Sequence, residues 1–413
     1  MTRQLVIYAL LILKIAFAEV ARGPTHIIRL SEGRNGTIVA GDKLILQKYH
    51  QYQTMVKNGA SVAGAVDTGL LKDPTNLSNI YIGEGFSAVT GTFSLSFIEH
   101  ILSHDDVEYV EANEIYRATK MRPVYRPPSK RSKIAQHNAP SWGLARISRN
   151  KKENTNDYSY ESAAGDGVQV FIMDTGINVE HDDFNGRATL DANFVNEESE
   201  EDLGGHGTHV AAIIGGTTFG VSKKVKLRSI KILDKYGDGT TVRLLHEYVG
   251  KLSKGEKSVI NLSLSGPKSK MINDALSSTS NDYNIPIFVS AGNTADDACN
   301  YSPSDNPDVF TVGSTDRDDS VSKFSSTGQC VRLYAPGKDI KSAWLGSKDA
   351  TMILDGTSMA NPHVAGIAAV LMSQKTYSSP KKLYDAITDI AVKGLLSFPD
   401  GSEKSSHNLL AHI

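Results

Sequence analysis

Excess charge of one sign is what this sequence most plainly lacks. Its 44 Lys and Arg stand against 46 Asp and Glu, a formal net charge of −2 in 413 residues. So even a balance carries no electrostatic footprint for nucleic acid or an acidic membrane surface. The basic stretches at 129–133 and 251–257 read as solvated loops. Cysteine is nearly missing, with only Cys299 and Cys330, which points away from a cysteine-ligated metal or a redox centre. Beyond the first twenty residues no apolar run is long enough to span a bilayer. Internal repeats and long low-complexity segments are also missing. What remains is 40% apolar and 22% charged, with length for a large α/β core beside a smaller unit.

The apolar run at the start is of a different kind. MTRQLVIYALLILKIAFAEV has Arg3, a short apolar core broken by Lys14, and then Ala16-Phe17-Ala18. That is the layout of a secretory signal peptide, residues 1–18, cut after Ala18. The mature protein is expected to be exported, with no membrane span, to the outside of the cell, its wall, a spore wall or a vacuole. In an oxidising compartment Cys299 and Cys330 read as a disulfide. Asn35, Asn76 and Asn300 carry the Asn-x-Ser/Thr acceptor pattern and are candidate glycan sites. Asn261 carries it too, but in a strand expected to be buried.

Residues 19–118 alternate like a small α+β unit, with strand patterns at 25–30, 85–89 and 107–110 and a helical one at 94–104. A linker follows at 119–137, rich in Pro and holding the dibasic pair Lys130-Arg131, a place where proteolytic nicking is expected. From 138 to 413 the rhythm changes. Short apolar runs at 168–173, 226–233, 259–264 and 286–290 alternate with helical patterns such as 241–252 and 271–278. This predicts a doubly wound, mostly parallel sheet with helices on both faces.

Functional groups of such sheets gather at the carboxyl ends of the strands. Asp174 ends one apolar run, and His206 stands in GGHGTHVAAIIGG where a helix opens. Asn293 follows the run at 286–290, and Ser358 sits in DGTSMANPHVAG at another helix mouth. Each alone is ordinary turn or cap chemistry. Together they describe a nucleophilic relay. Ser358 attacks a carbonyl, His206 takes its proton, and Asp174 orients the imidazole. The backbone N–H of Ser358 at the helix N-terminus and the Asn293 amide would meet the oxyanion. His206 and His209 do not make a zinc site, because the HExxH glutamate is missing, and G-x-G-x-x-G is not met for a dinucleotide.

DTGINVEHDDF, HGTHVA, SAGN and GTSMANPHVAG, in that order, resemble the motifs of the subtilase family, and the flanking segments resemble its proteinase K-like, fungal branch. The resemblance covers 138–413 and implies a serine endopeptidase acting on polypeptides, monomeric and made as a zymogen. Residues 24–118, with GFSAVTG and VEYVEAN, resemble the inhibitory prodomain of that family. This implies an intramolecular inhibitor whose tail lies in the cleft, removed by self-cleavage around 113–120 or by trimming after Lys130-Arg131. Ser263-Leu264-Ser265 and Gly237-Asp238-Gly239 resemble the two edge strands that hold an extended substrate.

The sequence also departs from the family. Ser265 replaces a glycine beside the specificity pocket, Asn361 a Thr or Ser, Ala212 a helix glycine and Val210 a cysteine. Arg332 stands where relatives use a carboxylate, with carbonyls matching Pro307 and Val309, to hold calcium. A guanidinium repels a hard cation, so that site is expected to be lost and no cofactor is expected, with the disulfide holding the region instead. The alternative reading is a subtilase-shaped binding or wall protein that processes itself once and keeps its prodomain.

Overall fold

In the computed structural model the described residues are 24–31, 41–58, 74–83, 85–119, 122–123, 136–151, 157–161, 164–244, 256–398 and 406–413. The leader at 1–18, Asn35 and Lys130-Arg131 lie outside them. The chain forms two compact units, Met1–Glu114 with Thr240–Glu247, and Ile115–Gly239 with Tyr248–Ile413.

The first unit contains β1 (His26–Leu30), α1 (Gly41–Lys57), β2 (Thr75–Ile82), β3 (Phe86–Thr92), α2 (Leu95–Ile101) and β4 (Val107–Ala112). Its sheet runs β2-β3-β1-β4, with every neighbouring pair antiparallel. Ile45, Tyr49 and Tyr52 fall at helical spacing and bury one face of α1. They share a core with Phe97, Ile98 and Ile101 of α2 and with Ile28 and Val89 of the sheet. Ser94 starts α2 by accepting the Phe97 N–H on its hydroxyl at 3.3 Å.

The second unit opens with β5 (Ile115–Ala118), β6 (Arg122–Pro123), α3 (Trp142–Ile147), β7 (Val168–Asp174) and β8 (Ala188–Asn193). It continues through α4 (His206–Gly215), β9 (Lys226–Lys231), β10 (Asp238–Thr240), β11 (Lys257–Leu262), β12 (Leu264–Ser265) and α5 (Lys270–Asp282). The remainder is β13 (Ile287–Ser290), β14 (Phe310–Thr315), β15 (Leu333–Pro336), β16 (Ile340–Ala343), β17 (Thr351–Asp355), α6 (Thr357–Gln374), α7 (Pro380–Ile390), β18 (Val392–Lys393) and β19 (Leu409–Leu410). The large sheet is ordered β18-β19-β15-β14-β13-β11-β7-β9-β8. All its neighbours are parallel except β18 with β19. The expected α/β architecture is therefore the one that forms. β7 is buried at every residue, as a strand covered on both faces must be. Helices α4 and α6 pack on each other, and α6 lies along β11, β13 and β14. Of the helix expected at 241–252, Thr241–Leu244 is helical and the rest lies outside the described residues.

Two short segments differ from the expected layout. The expected border at 118 falls inside the second unit, because β5 pairs between β10 and β12. The Pro-rich linker, read as a place for proteolytic nicking, contributes β6, which pairs antiparallel with β17. Backbone pairing needs no apolar side chains, so composition gave no sign of β6, while β5 lies where the resemblance implied a tail in the cleft.

Candidate active site

β7 ends at Asp174, whose Oδ1 accepts the Thr175 N–H at 2.7 Å and the His206 Nδ1–H at 2.7 Å. Both side chains are fully buried. A carboxylate has no proton to give at this contact, so the imidazole carries its hydrogen on Nδ1 and leaves Nε2 as the basic nitrogen. Nε2 is buried and has no hydrogen-bond partner. Burial works to lower the His206 pKa, yet the charge and hydrogen bond of Asp174, with the charge of Asp202, outweigh it and raise it.

Asp202 was not singled out in the sequence, although it organises the loop that carries His206. Its buried carboxylate accepts from the hydroxyls of Thr175 at 2.8 Å and Thr208 at 2.6 Å. It also takes the N–H groups of Gly204, Gly205 and Thr208 at 2.7–2.9 Å. An acid just ahead of a Gly-Gly pair at a helix mouth was the available signal, since such a position caps unpaired N–H groups. Gly205 has φ 87°, and a Cβ there would meet the Trp344 ring at 2.7 Å. Lys231, also unforeseen, is fully buried beside Asp174. Its ammonium donates to the carbonyls of Thr175 at 2.7 Å and Leu233 at 3.0 Å and pairs with Glu198 at 3.0 Å. His209 is buried and held neutral, its pKa lowered to about 3 by burial and then by His206.

Ser358 is the second residue of α6. Pro362 has no N–H to give the Ser358 carbonyl, and the Ser263 hydroxyl donates to it instead at 3.3 Å. The Ser358 hydroxyl donates to the Ser263 carbonyl at 3.0 Å and meets the hydroxyl of Thr119. The relay thus has its Asp174–His206 link formed, while the serine hydroxyl is engaged with Ser263 and Thr119 rather than with His206. Asn293 Oδ1 accepts from both N and Oγ1 of Thr357 at 2.9 Å, which fixes its amide at the mouth of α6. Its Nδ2 lies 3.2 Å from where a Cβ on Gly356 would stand.

The two proposed substrate edges hold a strand of this chain itself. β5 is the middle strand between β10 and β12, with Leu264 opposite Ala118 and Ser265 opposite Arg117. Across from it, the Ala118 N–H donates to the Gly237 carbonyl at 2.8 Å. The Tyr116 ring is fully buried against Gly266, where a Cβ would come within 2.4 Å of it, and its hydroxyl donates to the Pro267 carbonyl at 2.8 Å. β6 pairs with β17, with Arg122 opposite Asp355. A Cβ on Gly239 would come within 2.6 Å of the Leu233 side chain and 2.9 Å of the Ile232 carbonyl oxygen. Ser265 therefore accommodates strand addition. Asn361 uses its amide nitrogen on Asn261 Oδ1 at 2.9 Å and on the carbonyls of Leu262 and Phe288, a cross-link between β11 and β13. Val210 and Ala212 are fully buried in α4.

Cys299 and Cys330 form a disulfide with Cα atoms 5.4 Å apart. Close to it in sequence, Arg332 donates from Nε to the Val309 carbonyl at 3.1 Å and from Nη2 to the Pro307 carbonyl at 2.6 Å. The calcium implied by the resemblance does not fit this donor set, because a fixed cation already takes both carbonyls. Of the glycan candidates, Asn76 and Asn300 are exposed, while Asn261 is buried and bonded to Ser263 and Asn361. No helix among the described residues is long and apolar enough to cross a membrane.

Comparison with known proteins agrees with this geometry. Residues 165–409 match the subtilase family. The chain is 42% identical over 274 residues to subtilisin-like protease 2 of Pseudogymnoascus destructans, covering 66% of this chain and 67% of that one. It is 36% identical over 382 residues to the subtilase-type proteinase psp3 of Schizosaccharomyces pombe, covering 90% and 79%. Among solved structures it resembles a cold adapted subtilisin-like serine proteinase, with 35% identity and a TM-score of 0.59 over 66% of this chain and 97% of that one. The chain belongs to the subtilase family and is a serine endopeptidase.

Proposed function

We propose that the protein is an exported endopeptidase made as a zymogen, with Asp174, His206 and Ser358 as its relay and Asn293 as an oxyanion donor, and that it cuts its own Thr119–Lys120 bond. The observation that carries this reading is the strand Ile115–Ala118 seated between β10 and β12, with Thr119 against Ser358. With Arg117 opposite Ser265 and Ala118 opposite Leu264, Thr119 comes opposite Ser263, whose carbonyl holds the Ser358 hydroxyl. In the cut, Ser358 Oγ bonds to the Thr119 carbonyl carbon and its proton passes to His206 Nε2. His206 returns the proton to the Lys120 nitrogen as the C–N bond breaks, and water then hydrolyses the ester. Charge on the tetrahedral oxygen is met by Asn293 and by the mouth of α6. Arg332 takes the role of the calcium ion, so no metal is required at that place.

The test is N-terminal sequencing of purified wild-type protein beside Ser358→Ala, together with hydrolysis of a general peptide substrate. The reading expects a chain beginning at Lys120, or trimmed further after Lys130-Arg131, in the wild type alone, and turnover lost with the serine. Self-cleavage without turnover in trans would favour the self-plugged binding protein.

A further inference from the structure

We propose that Asp238 is a specificity-determining residue, selecting a basic side chain two positions upstream of the residue whose carbonyl Ser358 attacks. The inference rests on the register given above, in which Thr119 is attacked and Arg117 stands two residues before it. Side chains of an added strand alternate between faces. Tyr116 is buried, whereas Arg117 points to the rim, where 60% of its side chain is exposed. An exposed rim position commonly goes unread. Here it meets a carboxylate, with Arg117 Nε donating to Asp238 Oδ1 at 2.8 Å.

Two features make this a built contact. The backbone of the occupant is held from both sides, through the pairing of Arg117 with Ser265 and the Ala118–Gly237 hydrogen bond, so the side chain at this position is presented to Asp238 whatever its identity. Asp238 itself is held by a closed turn. Asp234 Oδ1 accepts the N–H groups of Tyr236 at 2.9 Å and Asp238 at 3.0 Å, and the Asp234 N–H donates to the Asp238 carbonyl at 2.9 Å. Gly237, at φ 80°, permits the left-handed step this turn requires. The backbone that carries the acceptor is thus fixed, and Asp234 puts a second carboxylate on the same turn. Lys235, the cation of the turn, lies over the Tyr236 ring at 5.1 Å. A planar guanidinium matches a carboxylate better than an ammonium does, so Arg ranks before Lys.

Solvent screens a pair this exposed, which limits the selectivity to about threefold to fivefold for Arg over a neutral residue. The test uses matured enzyme and internally quenched peptides Ile-Tyr-Xaa-Ala-Thr-Lys-Met-Arg-Pro with Xaa as Arg, Gln or Glu, the products weighed to confirm cleavage after Thr. Wild type is expected to show a kcat/KM for Arg about threefold to fivefold above Gln and about tenfold above Glu, narrowing in 0.5 M salt. Asp238→Asn is expected to bring the Arg-to-Gln ratio near one, and Asp238→Lys to turn the preference toward Glu. Equal wild-type rates on the three peptides, or an Arg preference that persists in Asp238→Asn, would overturn the proposal. If matured wild type cuts none of the peptides beyond a Ser358→Ala blank, the proposed function itself fails, and the selectivity with it.

Discussion

At the scale of single residues, the candidate site rests on a buried carboxylate outside the Asp174–His206 pair. Asp202 binds the loop before α4 and adds its charge to that of Asp174 in holding the His206 pKa up. A raised pKa means the imidazolium persists to higher pH, so the base becomes available only above the ordinary imidazole value of about 6.5. The acid limb of kcat/KM is expected above that value in wild type. Asp202→Asn keeps the shape and removes the charge, so the limb should move to lower pH, with stability reduced by about 1–3 kcal/mol as donors lose a charged acceptor. An acid limb that stays where it was would show that Asp202 does not act through His206.

At the scale of elements, Arg332 ties β15 to the carbonyls that precede β14. Adding calcium is therefore expected to leave the melting temperature unchanged, and a chelator likewise. Arg332→Ala should cost about 1.5–3 kcal/mol, since hydrogen bonds from a charged donor are lost. A saturable rise in Tm with calcium would contradict this unless another site accounts for it. The strands that end at Asp174 and just before Asn293 were legible in the sequence because continuous apolar runs such as VQVFIM admit few other structures in a chain of this class. Asp174, His206, Asn293 and Ser358 stood out because glycines and helix starts flank them. Asp202 and Lys231 were hidden because a buried polar group becomes visible only once its partners converge from distant segments. β6 was hidden because backbone pairing needs no apolar side chains, whereas β5 lies between the two edges where the resemblance had implied a prodomain tail.

At the scale of the whole molecule, the N-terminal unit is expected to weaken in acid. His26 is buried, and burial lowers its pKa to about 4. His100 and His104 touch at 3.2 Å, and Lys48 reaches His104 at 3.3 Å while pairing with Asp106 at 2.7 Å. Burial first, then neighbouring positive charge, lowers both imidazoles. Such groups protonate less readily in the folded unit than in the unfolded chain. Their stabilising contribution is complete above about pH 6.5 and declines as the pH falls from there toward 4. Hydrogen exchange on full-length Ser358→Ala should show faster opening of β1 and β3 at pH 5 than at pH 7.5, after correction for intrinsic rates. Equal protection at both values would remove these histidines as a source of acid sensitivity.

The measurement closest to the central claim is active-site labelling. Matured protein treated with a fluorophosphonate probe and digested is expected to carry one adduct, on Ser358, and His206→Ala introduced into material matured in trans is expected to lose most of it. A wild-type adduct on another residue, or undiminished labelling of Ser358 without His206, would contradict a serine activated by the Asp174–His206 pair.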